Sequence, residues 1–379
     1  MSLKRKRVLY VVGTLGLGGI ERLVSDLASF LKQKTDWEPL VCCLIEKSGP
    51  YVSFLEEQAI PVYECSLERG GMISFPSRFA KLIREVQPDV VHSHVNSSIP
   101  WQVLGIRRAG VHRIIFTQHN DYQYWKTHHV ARLRNLAYMR LTWPLISSYT
   151  AVSKQARRSV AELALRPIED FPLIYNPIDL VRFKHDSKCR EEARREWGLC
   201  PEHFVVGNVG RLATPKGHAD LLQAMLLILN EEPAARCVII GEGPLRNELE
   251  FLTEKLGLQD KVILVGTRTN IQDYYPAFDC YLSTSNTEGF QITLIEAMAC
   301  EVPVVATGVG VMQEGIIDDC GIVVPPNDPE AAARAVLKLR HAPRLADQLA
   351  ARARQRIIQI FGLEQIAQQY LALYQRVGA

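Results

Sequence analysis

No apolar run in the 379 residues is long enough to cross a membrane as a helix, which needs about 20 positions. The start, MSLKRKRVLYVVGTLGLGG, has a basic head and an apolar stretch, but no A-x-A-like cleavage site follows. The amphipathic IERLVSDLASFL comes instead, so the opening reads as strand, turn and helix rather than as a secretory leader. The nine cysteines are scattered, odd in number and never spaced C-x-x-C. That argues against a disulfide framework or a zinc site and for reduced thiols in a cytoplasmic protein. D-x-D is missing, which weakens any case for a divalent metal held at a phosphate. G-x-S-x-G, H-E-x-x-H, the protein-kinase set and a Walker lysine are also missing, and with them the chemistries those motifs carry.

Acidic residues are absent from one long stretch. Residues 122–161 hold seven Lys and Arg, interleaved with Tyr122, Tyr124, Trp125, Tyr138, Trp143 and Tyr149, and no Asp or Glu. The net charge of +3 hides this asymmetry: residues 1–178 carry 23 Lys and Arg against 15 Asp and Glu, while 179–379 carry 21 against 26. A basic, aromatic segment can adhere to an anionic membrane surface, or it can be a solvated helical face with core aromatics. Nucleic acid is not expected, because no recognised binding motif accompanies the charge.

Short Val- and Ile-rich runs alternate with longer amphipathic segments, and the rhythm occurs twice. Residues 8–13, 39–45, 89–94, 113–119, 149–153 and 173–176 read as strands of the first half. Residues 204–210, 236–243, 261–266, 279–285, 303–308 and 321–326 read as strands of the second. Apolar strands buried on both faces, with helices between them, predict an α/β chain of two doubly wound parallel sheets. The join falls near NPIDLVRFKHDS, giving domains 1–178 and 179–362. In such sheets ligands bind beyond the carboxyl ends of the strands.

The motifs sit at those ends. Gly18 and Gly19, in GTLGLGGIERL, let backbone N–H groups approach an anion at a helix start, although a plain tight turn fits them equally well. Arg211 and Lys216, in NVGRLATPKGH, form a diphosphate clamp if they are more than two solvated loop charges. In STSNTEGFQITLIEAMA, Glu288 lies in the turn and Glu296 in the apolar run eight positions later. The N–H groups of Phe290, Gln291, Ile292 and Thr293 open the helix and would face an anion or sugar oxygens. T-L-I-E also reads as a capping box with Thr293 as N-cap and Glu296 as its partner. In the first half, His92 suits a hydrogen-bonded structural role, and His119, ending IIFTQH beside Asn120 and Asp121, suits substrate contact.

Taken in order, GLGGIERLV, DVVHSH, TQHND, AVSKQAR, IYNPIDLVRF, VGRLATPKGH, IIGEGPLRNELE, VGTRTNIQDYY, the E-x7-E stretch and GIVVPPNDPEAAARAV make a specific set over nearly the whole chain. The chain resembles the retaining group-1 glycosyltransferases of family 4, with the GT-B fold: two Rossmann-like domains facing across a cleft. The resemblance implies transfer of a sugar from a nucleotide-diphosphate sugar to an acceptor hydroxyl; a UDP-sugar is expected over GDP-mannose, and the basic, aromatic first half points to a glycan or lipid-linked glycan acceptor at the inner face of the cell membrane, in cell-surface polysaccharide synthesis. The resemblance implies no cofactor and no metal. Glu288 would bind donor-sugar hydroxyls and Glu296 the ribose. Arg211 and Lys216 would hold the diphosphate, which Gly18 and Gly19 would touch from the other, acceptor-binding domain. Backbone N–H groups of Phe290, Gln291, Ile292 and Thr293 would touch phosphate or sugar, Thr267 and Arg268 would flank the base, and His119 would lie beside the transferred sugar. The last helix, about 363–379, would cross back to the N-terminal domain. Two departures stand out: GVGVMQEGI keeps Glu314 but lacks the second Gly and the Pro of G-G-x-P-E, and EGFQ replaces the frequent EGFG or EGFP, so that Gln291 either sets donor preference or only presents its backbone. Two other readings remain: a nucleotide-sugar epimerase on the same fold, and a non-catalytic nucleotide-sugar-binding protein.

Overall fold

The computed structural model describes residues 5–119, 129–310, 312 and 319–377, with the backbone alone for 129–135. Asn120, Asp121, residues 122–128 of the basic stretch and Glu314 lie outside the described residues. The chain forms two compact units. One runs to Pro177 and resumes at Leu363; the other is Ile178–Gly362.

The first unit holds six parallel strands: β1 (Lys6–Val12), β2 (Trp37–Cys43), β3 (Val62–Glu64), β4 (Val90–Ser93), β5 (Ile114–Gln118) and β6 (Ser148–Ala151). Their order across the sheet is β3-β2-β1-β4-β5-β6. The period-2 alternation of a strand divides β1 between two cores. Val8, Tyr10 and Val12 pack under the helices Gly19–Lys34 and Leu363–Arg376. Leu9 and Val11 pack under Gly71–Val86 and Ile99–Arg108. The first of these helices is amphipathic by spacing: Leu23, Val24, Leu27, Ala28 and Leu31 form one buried stripe.

The second unit repeats the plan with β7 (Phe204–Val209), β8 (Ala235–Ile240), β9 (Val262–Gly266), β10 (Cys280–Ser283), β11 (Val304–Thr307) and β12 (Ile322–Val324), all in parallel pairs. The order is β12-β11-β10-β7-β8-β9. Leu221, Leu222, Met225 and Ile228 of the helix His218–Glu231 pack with Ala332, Val336 and Leu339 of the helix Pro329–His341 over Val206, Cys237 and Ile239. Each Leu, Ile, Val or Met side chain fully buried here contributes about 1.5–3 kcal/mol of hydrophobic stabilisation.

Both orders reverse direction once, between β1 and β4 in one sheet and between β7 and β10 in the other. That crevice is where doubly wound sheets place ligands. Two strand assignments change. Residues 173–176 are not a strand: one bridge, Ala151 to Leu173, is all that pairs, and Pro172 and Pro177 flank the segment, removing ladder donors. β3 was not expected, because three residues are too few to display a period.

Candidate active site

The β7–β10 crevice gathers three of the charged candidates. After β7 the chain turns through Thr214–Lys216 and enters the helix His218–Glu231 at Gly217. After β10 it runs through Thr284, Ser285 and Glu288 to the helix Ile292–Ala299. The two loops are stitched together. The Thr284 hydroxyl donates to the Gly217 carbonyl at 2.8 Å, and the Asn286 N–H to the Pro215 carbonyl at 2.8 Å. Gly217 has φ +63°, and a Cβ there would lie 2.1 Å from the Thr284 carbonyl oxygen, so this contact needs glycine.

The stitched loops bring Lys216 and Glu288 together: Nζ donates to Oε1 at 2.5 Å, and the Ser285 hydroxyl donates to the same oxygen at 2.9 Å. Both side chains are mostly buried, 28% and 13% exposed. The Lys216 stem also passes 3.8 Å from where a Gly210 Cβ would stand. Arg211 is exposed and, among the described residues, has no acidic partner. The crevice thus holds an exposed guanidinium with no acidic partner among the described residues and an ammonium already neutralised by its neighbour.

The helix Ile292–Ala299 is not capped as T-x-x-E suggests. Gln291 is its N-cap residue and makes no side-chain cap bond. Thr293 instead receives the Tyr281 hydroxyl at 2.9 Å, and Glu296 receives the Tyr275 hydroxyl at 2.5 Å. Two tertiary donors from the neighbouring segments outcompete the local box, and the Tyr275 hydroxyl offsets part of the cost of a carboxylate only 1% exposed. The Ile292 N–H donates to the Phe290 carbonyl at 3.0 Å. The first-turn N–H groups of Gln291 and Thr293 carry the helix's positive end.

Arg268 is engaged within its own unit. Its guanidinium donates to Glu196 at 2.8 Å and to the Val265 and Thr267 carbonyls, and it lies over the Tyr274 ring. In the first unit Gly18 is the N-cap of the helix Gly19–Lys34. A Cβ at Gly18 would meet the Glu21 carboxylate, so that helix start already faces an internal acid, whose pKa burial raises.

His119 lies past β5 in a buried polar cluster near the β1–β4 reversal. Its Nε2 is 2.8 Å from His94 Nδ1. His92 is a structural histidine: it bonds the Tyr374 hydroxyl at 2.8 Å and Thr117 at 2.7 Å, tying the last helix to the sheet. Burial lowers His92 and His119 to about 3; His94 is lowered strongly by burial and then by the other two rings. All three are neutral imidazoles at physiological pH, able to orient a group but not to carry charge.

Sequence reasoning passed over Ser285, Tyr281, Tyr275, Thr284 and Gly217. The signal for the first and fourth was the polar run STS at a strand's end; the tyrosines gave none, since they are distant in the chain from what they hold.

A cation–carboxylate pair at the switch point of one of two Rossmann-like sheets suits a phosphorylated, hydroxyl-rich ligand. Comparison with known proteins defines the class further. The model for Glycosyltransferase Family 4 matches residues 17–182, and that for Glycosyl transferases group 1 matches 189–356. The lipopolysaccharide core biosynthesis mannosyltransferase LpsB of Rhizobium meliloti is 34% identical over 244 residues, 61% of this chain and 67% of that protein. The lipopolysaccharide core biosynthesis glycosyltransferase LpsD of the same organism is 25% identical over 368 residues, 95% of each chain. The crystal structure of Anabaena HepE in complex with UDP and glucose has a TM-score of 0.84 at 20% identity and covers 97% of this chain and 99% of that one, a likeness of fold. The chain belongs to the group 1 glycosyltransferases, and its fold is GT-B.

Proposed function

We propose that the protein is a retaining glycosyltransferase that moves a sugar from a nucleotide-diphosphate sugar, UDP-linked by preference, to a hydroxyl of a glycan or lipid-linked glycan acceptor. The second unit takes the donor and the first the acceptor. The observation that carries this is the Lys216–Glu288 pair at the β7–β10 crevice, with the exposed Arg211 just past the end of β7. The names of LpsB and LpsD favour a surface polysaccharide or lipopolysaccharide product, and the UDP bound to HepE favours a UDP-sugar.

The chemistry follows from charge. Breaking the anomeric bond loads negative charge on the departing diphosphate and positive charge on the sugar. Arg211, Lys216 and the start of the helix Ile292–Ala299 stabilise the first without a metal. Glu288, released from Lys216, accepts from sugar hydroxyls, and Glu296, held by Tyr275, accepts from the ribose. The acceptor hydroxyl attacks from the leaving-group face and passes its proton to a diphosphate oxygen, so no carboxylate acts as nucleophile. His119 and His94 orient the sugar through neutral imidazoles. Gly18 and Gly19 add backbone contacts to the diphosphate, and the backbone at 267–268 flanks the base.

Membrane contact falls to the basic stretch. In its described part Leu141 and Leu145 are exposed, and Arg140 and Trp143 line a cavity of about 210 Å³ together with Leu165 and Arg166. Among the described residues no helix is long and apolar enough to cross a membrane. Incubation with UDP- and GDP-sugars, with the product's anomeric configuration read by NMR, tests the reading: inverted product overturns retention, and nucleotide-sugar conversion without acceptor points to an epimerase.

A further inference from the structure

Gln291 is the least explained residue of the crevice. It is 3% exposed, and among the described residues neither its amide oxygen nor its amide nitrogen has a hydrogen-bond partner. A carboxamide brings two donors and an acceptor, and leaving all of them dry and unbonded costs stability. The side chain does not cap the helix it precedes. Its place is specific. Gly310 has φ +56°, and a Cβ built there would lie 3.4 Å from Gln291 Cγ and 3.0 Å from Glu288 Cβ. The two side chains therefore flank one bare backbone position, which a larger residue would fill. Buried, unsatisfied polar groups persist in folded proteins where a ligand completes them.

We propose that the Gln291 carboxamide is a specificity group for the sugar half of the donor, bonding an uncharged substituent that can both donate and accept: a hydroxyl or an acetamido group. This rests on the donor-site reading above. Glu288 beside it disfavours an anionic substituent, and a neutral amide cannot compensate a carboxylate. A site built to hydrogen-bond a substrate group rejects analogues that lack it far more strongly than a hydrophobic pocket rejects a changed methylene. Gln291 would thus discriminate among sugars while leaving the nucleotide untouched.

The test uses the full chain with Gln291→Met, which keeps length and removes polarity, and Gln291→Ala, which removes the side chain. Calorimetry measures affinity for UDP, UDP-glucose, UDP-N-acetylglucosamine and UDP-glucuronate, and melting is followed without ligand. The expected result is UDP affinity within twofold of the unchanged protein, a loss of roughly ten- to a hundredfold for the preferred neutral UDP-sugar, and a ligand-free melting point unchanged or raised in Gln291→Met. The glucose and N-acetylglucosamine arms tell hydroxyl from acetamido. Equal losses for UDP and UDP-sugar, no loss at all, tightest binding of the glucuronate, or a melting point several degrees lower in Gln291→Met would each overturn the proposal while leaving the donor site standing. If the unchanged protein binds none of these ligands, the donor-site reading falls and takes this inference with it.

Discussion

At the residue scale, the Lys216–Glu288 pair makes two side chains separable by experiment. The pair is too buried to be a screened surface bridge and too open to count as a deep one, so its net worth to folding is small. On the proposed function, the pair keeps both charges compensated until a ligand redistributes them. Lys216→Ala removes a cation whose best partner is the charge developing on the diphosphate. Transfer should therefore fall about a hundredfold or more while donor affinity falls by less than tenfold, read from turnover and equilibrium binding on the same preparation. Equal losses would place Lys216 in uniform binding instead. Glu288→Ala should damage transfer comparably with the fold intact, since the freed Lys216 is partly exposed to water. Glu296→Ala should differ, because it strips the buried Tyr275 hydroxyl of its acceptor, which costs about 1–3 kcal/mol. A melting point that drops with Glu288→Ala and holds with Glu296→Ala would reverse these assignments.

At the element scale, the strands were legible because parallel sheets are buried on both faces and their Val and Ile runs are continuous. The motifs at their carboxyl ends were legible because that rule says where to look. The sequence misled where a local pattern competed with a distant partner. T-L-I-E looks like a capping box, yet Tyr281 and Tyr275 claim Thr293 and Glu296. Arg268's partner could not be read either, since Glu196 lies 72 positions away. Nor could the turn that folds the Ile292 N–H onto the Phe290 carbonyl. Gly217 could not be told from any other loop glycine, because its obstacle, the Thr284 carbonyl, is 67 residues distant. That difference gives a paired test. Gly217 and Gly257 both have positive φ, +63° and +68°, but a Cβ at Gly257 meets nothing within 4 Å. Gly257→Ala should cost only the backbone strain, about 1 kcal/mol. Gly217→Ala must also push the β10 loop away, so at least about 3 kcal/mol should be lost, with transfer lost alongside. Denaturant midpoints of the two variants decide it; similar values would mean that the Thr284 approach is not a constraint.

At the scale of the whole molecule, the two units repeat one sheet order but respond differently to acid. The first buries three neutral histidines, His92, His94 and His119, each with its pKa lowered chiefly by burial. The second holds one comparable group, His218, lowered to about 4 by burial and then by Lys216. Below pH 6.5 an unfolded chain protonates these rings, whereas the folded ones stay neutral until about pH 3 for His92 and His119. The unfolded state then binds more protons, so stability falls as pH falls. The loss begins near 6.5, continues down to the folded values, and is absent above neutrality. Each histidine costs about 1.4 kcal/mol per pH unit once well below its unfolded pKa, so the first unit loses about three times as much from this source as the second. Calorimetric melting at pH 7 and at pH 5 should show the first unit's transition moving down further, with amide exchange in β4 and β5 accelerating before that in β7 and β10. Replacing His218 by Gln should widen that gap, because it removes the second unit's loss and leaves the first unit's untouched. Transitions that shift together, or a first unit that holds while the second gives way, would mean that the three rings are not neutral in the folded protein.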